Sequence, residues 1–98
     1  VTLYAPGAID QIDRLREHYV NKQRYEAAEA LNAALDEAES WLETKPERGL
    51  PAPRPYPRLV RPGWLWMKAS RYWVAYTDTR PPMILAVFFE EADIPSRL

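Results

Sequence analysis

The sequence predicts an α+β domain with the element order β-α-α-β-β-β, and three observations carry that prediction. Apolar residues recur at three- and four-residue spacing from Ile9 to Leu42. A proline-dense stretch from Thr44 to Pro62 then breaks the pattern. Three runs rich in aromatic and β-branched residues follow between Trp64 and Phe89. Helices in one block and strands in another segregate into layers, here a helical hairpin packed on a mainly antiparallel, twisted sheet. At 98 residues the chain makes a single domain, 1–98, near the small end of what folds unaided.

Each element has its own signal. Val1 to Tyr4 is β-prone and ends at Pro6-Gly7, and Pro6 suits a helix start because its missing N–H is unpaired there anyway. From Ala8, the positions Ile9, Ile12, Leu15 or Arg16, Tyr19 and Val20 make the first helical stripe. A second helix is expected from about Tyr25 to Glu43, with Ala28, Leu31, Leu35, Ala38 and Leu42 on one face. Its many alanines favour helix and permit close packing. Asn21-Lys22-Gln23 is short enough to close an antiparallel helical hairpin.

Six of the ten prolines lie between Thr44 and Pro62, so this segment is an extended connector along the domain edge. Its Pro51–Pro57 portion could also serve as a polyproline ligand; the structural reading is preferred. Trp64–Lys68 and Tyr72–Tyr76 read as a pair of strands around an Ala69-Ser70 turn. Met83–Phe89 is apolar on both faces, as a strand covered on both sides should be.

Composition excludes several classes. Without cysteine there is neither a disulfide nor a thiolate zinc site. The longest apolar run, Met83–Phe89, is far short of the ~20 residues that cross a bilayer. No signal-type segment opens the chain, so a cytoplasmic location is expected; a first residue other than methionine leaves room for residues upstream. Net charge is −1, but residues 1–50 carry six basic and ten acidic groups and residues 51–98 carry seven and four. The basic half, with Arg54, Arg58, Arg61, Lys68, Arg71 and Arg80, is either a solvated surface or one that could attract an acidic peptide, an acidic protein face or nucleic acid. A pI near 5.8 argues against direct nucleic-acid binding by the chain alone.

Two helices can cover only one sheet face. The aromatic residues Trp64, Trp66, Trp73 and Tyr76, with Arg71 beside them, are therefore the candidate binding surface for a partner. Lys68 with Arg71, supported by Tyr72 or Tyr76, is the one set that could do acid–base work on RNA. His18 lies among charged helical neighbours and reads as a surface residue. Glu90, Glu91 and Asp93 read as a solvated strand end rather than a metal site, and no cofactor is expected.

Several pieces stand in a telling order: Tyr4-Ala5-Pro6-Gly7-Ala8 opening the first helix, Ala27-Ala28-Glu29 in the second, and Pro46-Glu47-Arg48-Gly49 after it. Arg71-Tyr72 with Tyr76 follow in the middle strand, and Val87 leads on to Asp93-Ile94-Pro95 at the end. In that order, and over nearly the whole chain, they resemble the RelE/ParE superfamily of toxins from bacterial type II toxin–antitoxin systems. The resemblance implies a helical hairpin on a twisted sheet, and a cognate antitoxin that wraps the toxin in a hetero-oligomer. Ribonucleases of the RelE branch use a Lys, Arg and Tyr or His cluster around the sheet. Where that branch has basic or histidine residues after the last strand, this chain has Phe89, Glu90, Glu91 and Ala92, and Leu65 is nearest in register to an arginine the family often carries. Acids there oppose the charge a phosphoryl transition state develops. The chain is thus more similar to the ParE branch, which implies inhibition of DNA gyrase by docking and leans away from an enzyme. The alternatives are a ribosome-dependent mRNA endoribonuclease using Lys68, Arg71 and Tyr72, or an inactive homologue that only binds an antitoxin.

Overall fold

The computed structural model describes residues 3–98. Strand β1 (Leu3–Tyr4) leads into helix α1 (Pro6–Asn21) and helix α2 (Tyr25–Thr44), followed by a 3-10 turn at Pro46–Arg48. Strands β2 (Trp64–Ala69), β3 (Tyr72–Thr77) and β4 (Met83–Phe89) then form the sheet, and a short helix α3 (Ile94–Arg97) closes the chain. The sheet order is β1-β4-β3-β2, with β1 parallel to β4 and the other pairs antiparallel. The expected order of elements is therefore the observed one. The expected opening strand begins at Val1, and its first two residues lie outside the described residues.

Local chemistry sets the helix limits. Pro6 occupies the first turn of α1, and extended Ala5 accepts the first helical hydrogen bonds from Ala8 (2.9 Å) and Ile9 (3.1 Å). The helix stops because Gln23 adopts the left-handed region (φ 55°). The Gln23 N–H then donates to the Val20 carbonyl (2.9 Å) and the Arg24 N–H to the Tyr19 carbonyl (2.7 Å). This is a Schellman closure with glutamine where glycine is the usual choice.

The α2 stripe packs as its spacing predicts, with Leu31, Leu35, Ala38 and Leu42 buried. The α1 stripe is only partly right: Ile12 and Tyr19 are buried, but Ile9 and Val20 face solvent, and Ala8 takes the inner position. The helices meet the sheet through Met67, Val74, Ile84 and Val87. Strand alternation puts Tyr72 and Tyr76 on this helical side.

The opposite sheet face has a core of its own, and here the expectation of an open face is corrected. Trp66, Trp73, Ala75, Ala86 and Phe88 pack there with Ile94 from α3, against Leu50, Tyr56 and Leu59 of the connector. Leu50 and Trp66 exchange two backbone hydrogen bonds of 2.7 Å each, and Ala52 and Pro53 within the connector are buried. The Tyr56 hydroxyl donates to the Ala92 carbonyl (3.2 Å), tying connector to tail. Proline-rich chain cannot join the sheet ladder throughout, but its rings and neighbouring apolar side chains can cover a sheet face.

Candidate functional site

The antiparallel register of β2, β3 and β4 brings the sequence-predicted basic residues to one end of the sheet. Ala69 pairs with Tyr72 across a two-residue loop, and Tyr72 pairs with Phe89. Ser70 at the first loop position has φ 56°, the left-handed geometry such tight hairpins demand. The Glu90 N–H continues the ladder by donating to the Arg71 carbonyl (2.8 Å). Lys68, Arg71 and Glu90 are thereby held at adjacent positions.

Glu90 engages both cations. Lys68 Nζ lies 2.8 Å from one carboxylate oxygen and Arg71 Nε lies 2.7 Å from the other. Glu91 approaches the Arg71 guanidinium at 3.9 Å. Hydrogen bonds from Lys68 and Arg71 hold the Glu90 carboxyl below the usual carboxylate range, and Glu90 raises Arg71 in turn. Two positive and two negative charges leave the cluster neutral, so it offers a phosphate no net attraction. Lys68 also lies over the Trp73 ring (5.7 Å) and Arg71 over the Phe89 ring (4.9 Å).

Tyr72, the third member of the possible ribonuclease set, points away from this cluster. Its hydroxyl is buried 2.6 Å from the Tyr19 hydroxyl, and burial followed by that hydrogen bond pushes its pKa far up. Lys68 and Arg71 are thus together at the sheet end, and the Tyr72 hydroxyl is on the helical side.

The candidate binding residues are also divided. Trp66 and Trp73 are buried under the connector, and Tyr76 is buried under the helices. These three offer no surface to a partner. Trp64 is half-buried with the Arg61 guanidinium over its ring (5.1 Å), and Arg71 is 60% exposed. Tyr76 is a structural latch. Its hydroxyl donates to the Pro46 carbonyl (2.6 Å) and accepts from Trp41 Nε1 (3.1 Å), pinning the turn after α2 to the sheet. Arg54 stacks over Trp73 (5.7 Å), so part of the basic surplus helps to seal the second core.

Sequence reasoning missed a groove beside β4. It has a volume of about 870 Å³ and is walled by α1 and the C-terminal tail, with Trp64 at one side. At its floor the Val87 N–H donates to the side-chain oxygen of Gln11 (2.8 Å). Gln11 reads in the sequence as an ordinary solvent-side helical residue, and its partner is 76 positions away. Gly7, a glycine in the first turn of α1, was the one visible signal. Among the described residues no group of three His, Cys, Asp or Glu side chains is arranged to hold a metal, and no helix is long and apolar enough to cross a membrane. No family model and no curated protein matches the chain.

Proposed function

We propose that the chain is a toxin of the RelE/ParE type, closer to ParE, that acts by docking on DNA gyrase and is neutralised by a cognate antitoxin. Topology supports the family resemblance: a helical hairpin lies on one face of a sheet of order β1-β4-β3-β2. Fold alone leaves the activity open, so the reading turns on the site. The observation that carries it is Glu90, which occupies Lys68 and Arg71 together. A ribonuclease needs free cations around the scissile phosphate, and removing one such donor typically costs ~10²–10³ in rate. A chain that neutralises both is suited to protein docking instead.

The test is supercoiling by gyrase in the presence of the purified, partner-free chain. Inhibited supercoiling or gyrase-linked DNA breaks are expected, and relief by a cognate antitoxin protein. That protein should also raise the melting temperature, because ligands that bind only the native state stabilise it. Unchanged supercoiling at molar excess would remove the gyrase target.

A further inference from the structure

Five prolines stiffen the connector between Leu50 and Pro62, which lies on the second sheet face with few ties to it. Its two ends are fixed. Before it, the Tyr76 hydroxyl holds the Pro46 carbonyl (2.6 Å), and after it the Asp78 N–H holds the Gly63 carbonyl (3.0 Å). Gly63 has φ 78°, a turn geometry that side chains disfavour. Thirteen residues thus leave the sheet edge and return to it, the dimensions of a surface loop that packs as a unit.

Between the anchors the main chain is bonded to the sheet at one place. Leu50 and Trp66 exchange their two hydrogen bonds at the outer edge of β2. From Pro51 to Val60 the backbone bonds are local, from the Tyr56 N–H to the Pro53 carbonyl and from the Leu59 N–H to the Tyr56 carbonyl (2.9 Å each). These travel with the segment. The other ties are the Tyr56 hydroxyl on the Ala92 carbonyl (3.2 Å) and the Arg54 guanidinium over the Trp73 ring (5.7 Å). Apolar contact of Leu50, Tyr56 and Leu59 with the Trp66 cluster supplies the rest. The sheet does not need this cover for its strand pairing, since β2, β3 and β4 are bonded to one another and backed by the helices.

One group works against closure. The indole N–H of Trp66 is fully buried and has no hydrogen-bond partner among the described residues. A buried donor left unpaired disfavours the state that buries it by about a factor of ten in population. Any opening that admits water satisfies it, so the closed connector is opposed at its centre by the residue it covers.

We propose that residues 50–62 form a hinged strap that lifts as one unit while the helices and the sheet stay folded, and that the unpaired Trp66 indole sets how often it lifts. Closed, the strap hides Trp66, Trp73 and Phe88. Open, it displays an aromatic sheet face on a protein that is otherwise folded. Elements that move in regulation are drawn from segments that open below the global unfolding.

Hydrogen exchange in low urea, read residue by residue on the isotope-labelled full chain, tests the strap. After correction for intrinsic rates, the Leu50 amide, the Trp66 amide and the Trp66 indole N–H should show equal protection. Their common opening should occur at least about tenfold more often than that of the Val74 amide in the β2–β3 ladder. Tyr56→Phe removes the bond to Ala92 and should speed all three severalfold together, with Val74 unchanged. Placing β-(3-benzothienyl)alanine at position 66 keeps the ring shape without the N–H, and should slow Leu50 exchange about tenfold. Leu50 exchanging only as often as Val74 overturns the proposal. So does a Tyr56→Phe effect that fails to reach Leu50, because the strap is then not a unit. An isostere that leaves Leu50 exchange unchanged overturns it as well. None of these readouts involves gyrase, so the strap and the toxin reading fail separately.

Discussion

Replacing Gly49 by alanine should destabilise the protein severely, although the backbone there (φ −65°, ψ 157°) suits any residue. The reason is space. A Cβ on Gly49 would lie 2.8 Å from Leu65 Cβ and 2.9 Å from Tyr76 Cζ, and would press on the Tyr76 hydroxyl. Leu65 Cβ is fixed to β2, and the Tyr76 ring is fully buried, so neither can swing away cheaply. Overpacking of this kind costs about 1–3 kcal/mol. Displacing the hydroxyl also breaks its bonds to Pro46 and Trp41, at about 1 kcal/mol each. The expected total is about 3–5 kcal/mol, a large part of the ~5–15 kcal/mol available to a domain of this size. Urea unfolding followed by circular dichroism reads the loss as a lower midpoint at constant slope. Tyr76→Phe removes the crowded hydroxyl, so the double variant should be more stable than the sum of the single losses by at least about 1 kcal/mol. A Gly49→Ala midpoint equal to wild type, or a strictly additive cycle, would refute the latch.

Four further outcomes follow from particular residues. Leu31→Ala empties a fully buried position in α2 and should cost about 2–5 kcal/mol by the same assay. Gln23→Gly relieves the left-handed glutamine that ends α1 and should stabilise by roughly 0.5–1 kcal/mol, seen as a higher melting temperature. Tyr72→Phe strands the buried Tyr19 hydroxyl at about 1–3 kcal/mol, whereas Tyr19→Phe with Tyr72→Phe should cost less than the two single changes added. Glu90 is depressed from its ordinary 4.5, so its ion pairs contribute fully above that value and fade as pH falls through the lowered one. The small stability gap between wild type and Glu90→Gln should therefore be present at neutral pH and closed in acid, as paired unfolding curves would record.

Much of the fold was legible because burial followed simple periods. The limits of β4 and the inward face of α2 came directly from continuous apolar character and three/four spacing. The second core was not legible, because the connector has no period at all. That Leu50, Tyr56 and Leu59 pack against the cluster of Trp66 and Trp73 depends on tertiary docking, which the proline content does not announce. For the same reason Trp66, Trp73 and Tyr76 read as an exposed set when two sheet faces bury them separately. Lys68 and Arg71 were legible as neighbours, but their neutralisation was not. It depends on the β3–β4 register that delivers Glu90 between them, and in sequence Glu90 reads only as part of a solvated end. Gln11 was invisible because a polar residue on a helix carries no sign of which distant backbone group it meets.

The claim that the chain docks and does not cut rests on the Glu90 pairing, and mapping of mRNA 5′ ends tests it most directly. The partner-free chain would be added to an actively translating extract and the transcripts followed by primer extension. Transcripts without new 5′ ends are the predicted result, for the wild type and for a Lys68→Ala, Arg71→Ala double variant alike. Codon-positioned ends that appear with the wild type and vanish with the double variant would contradict it, and would make Lys68 and Arg71 the working residues of a ribonuclease.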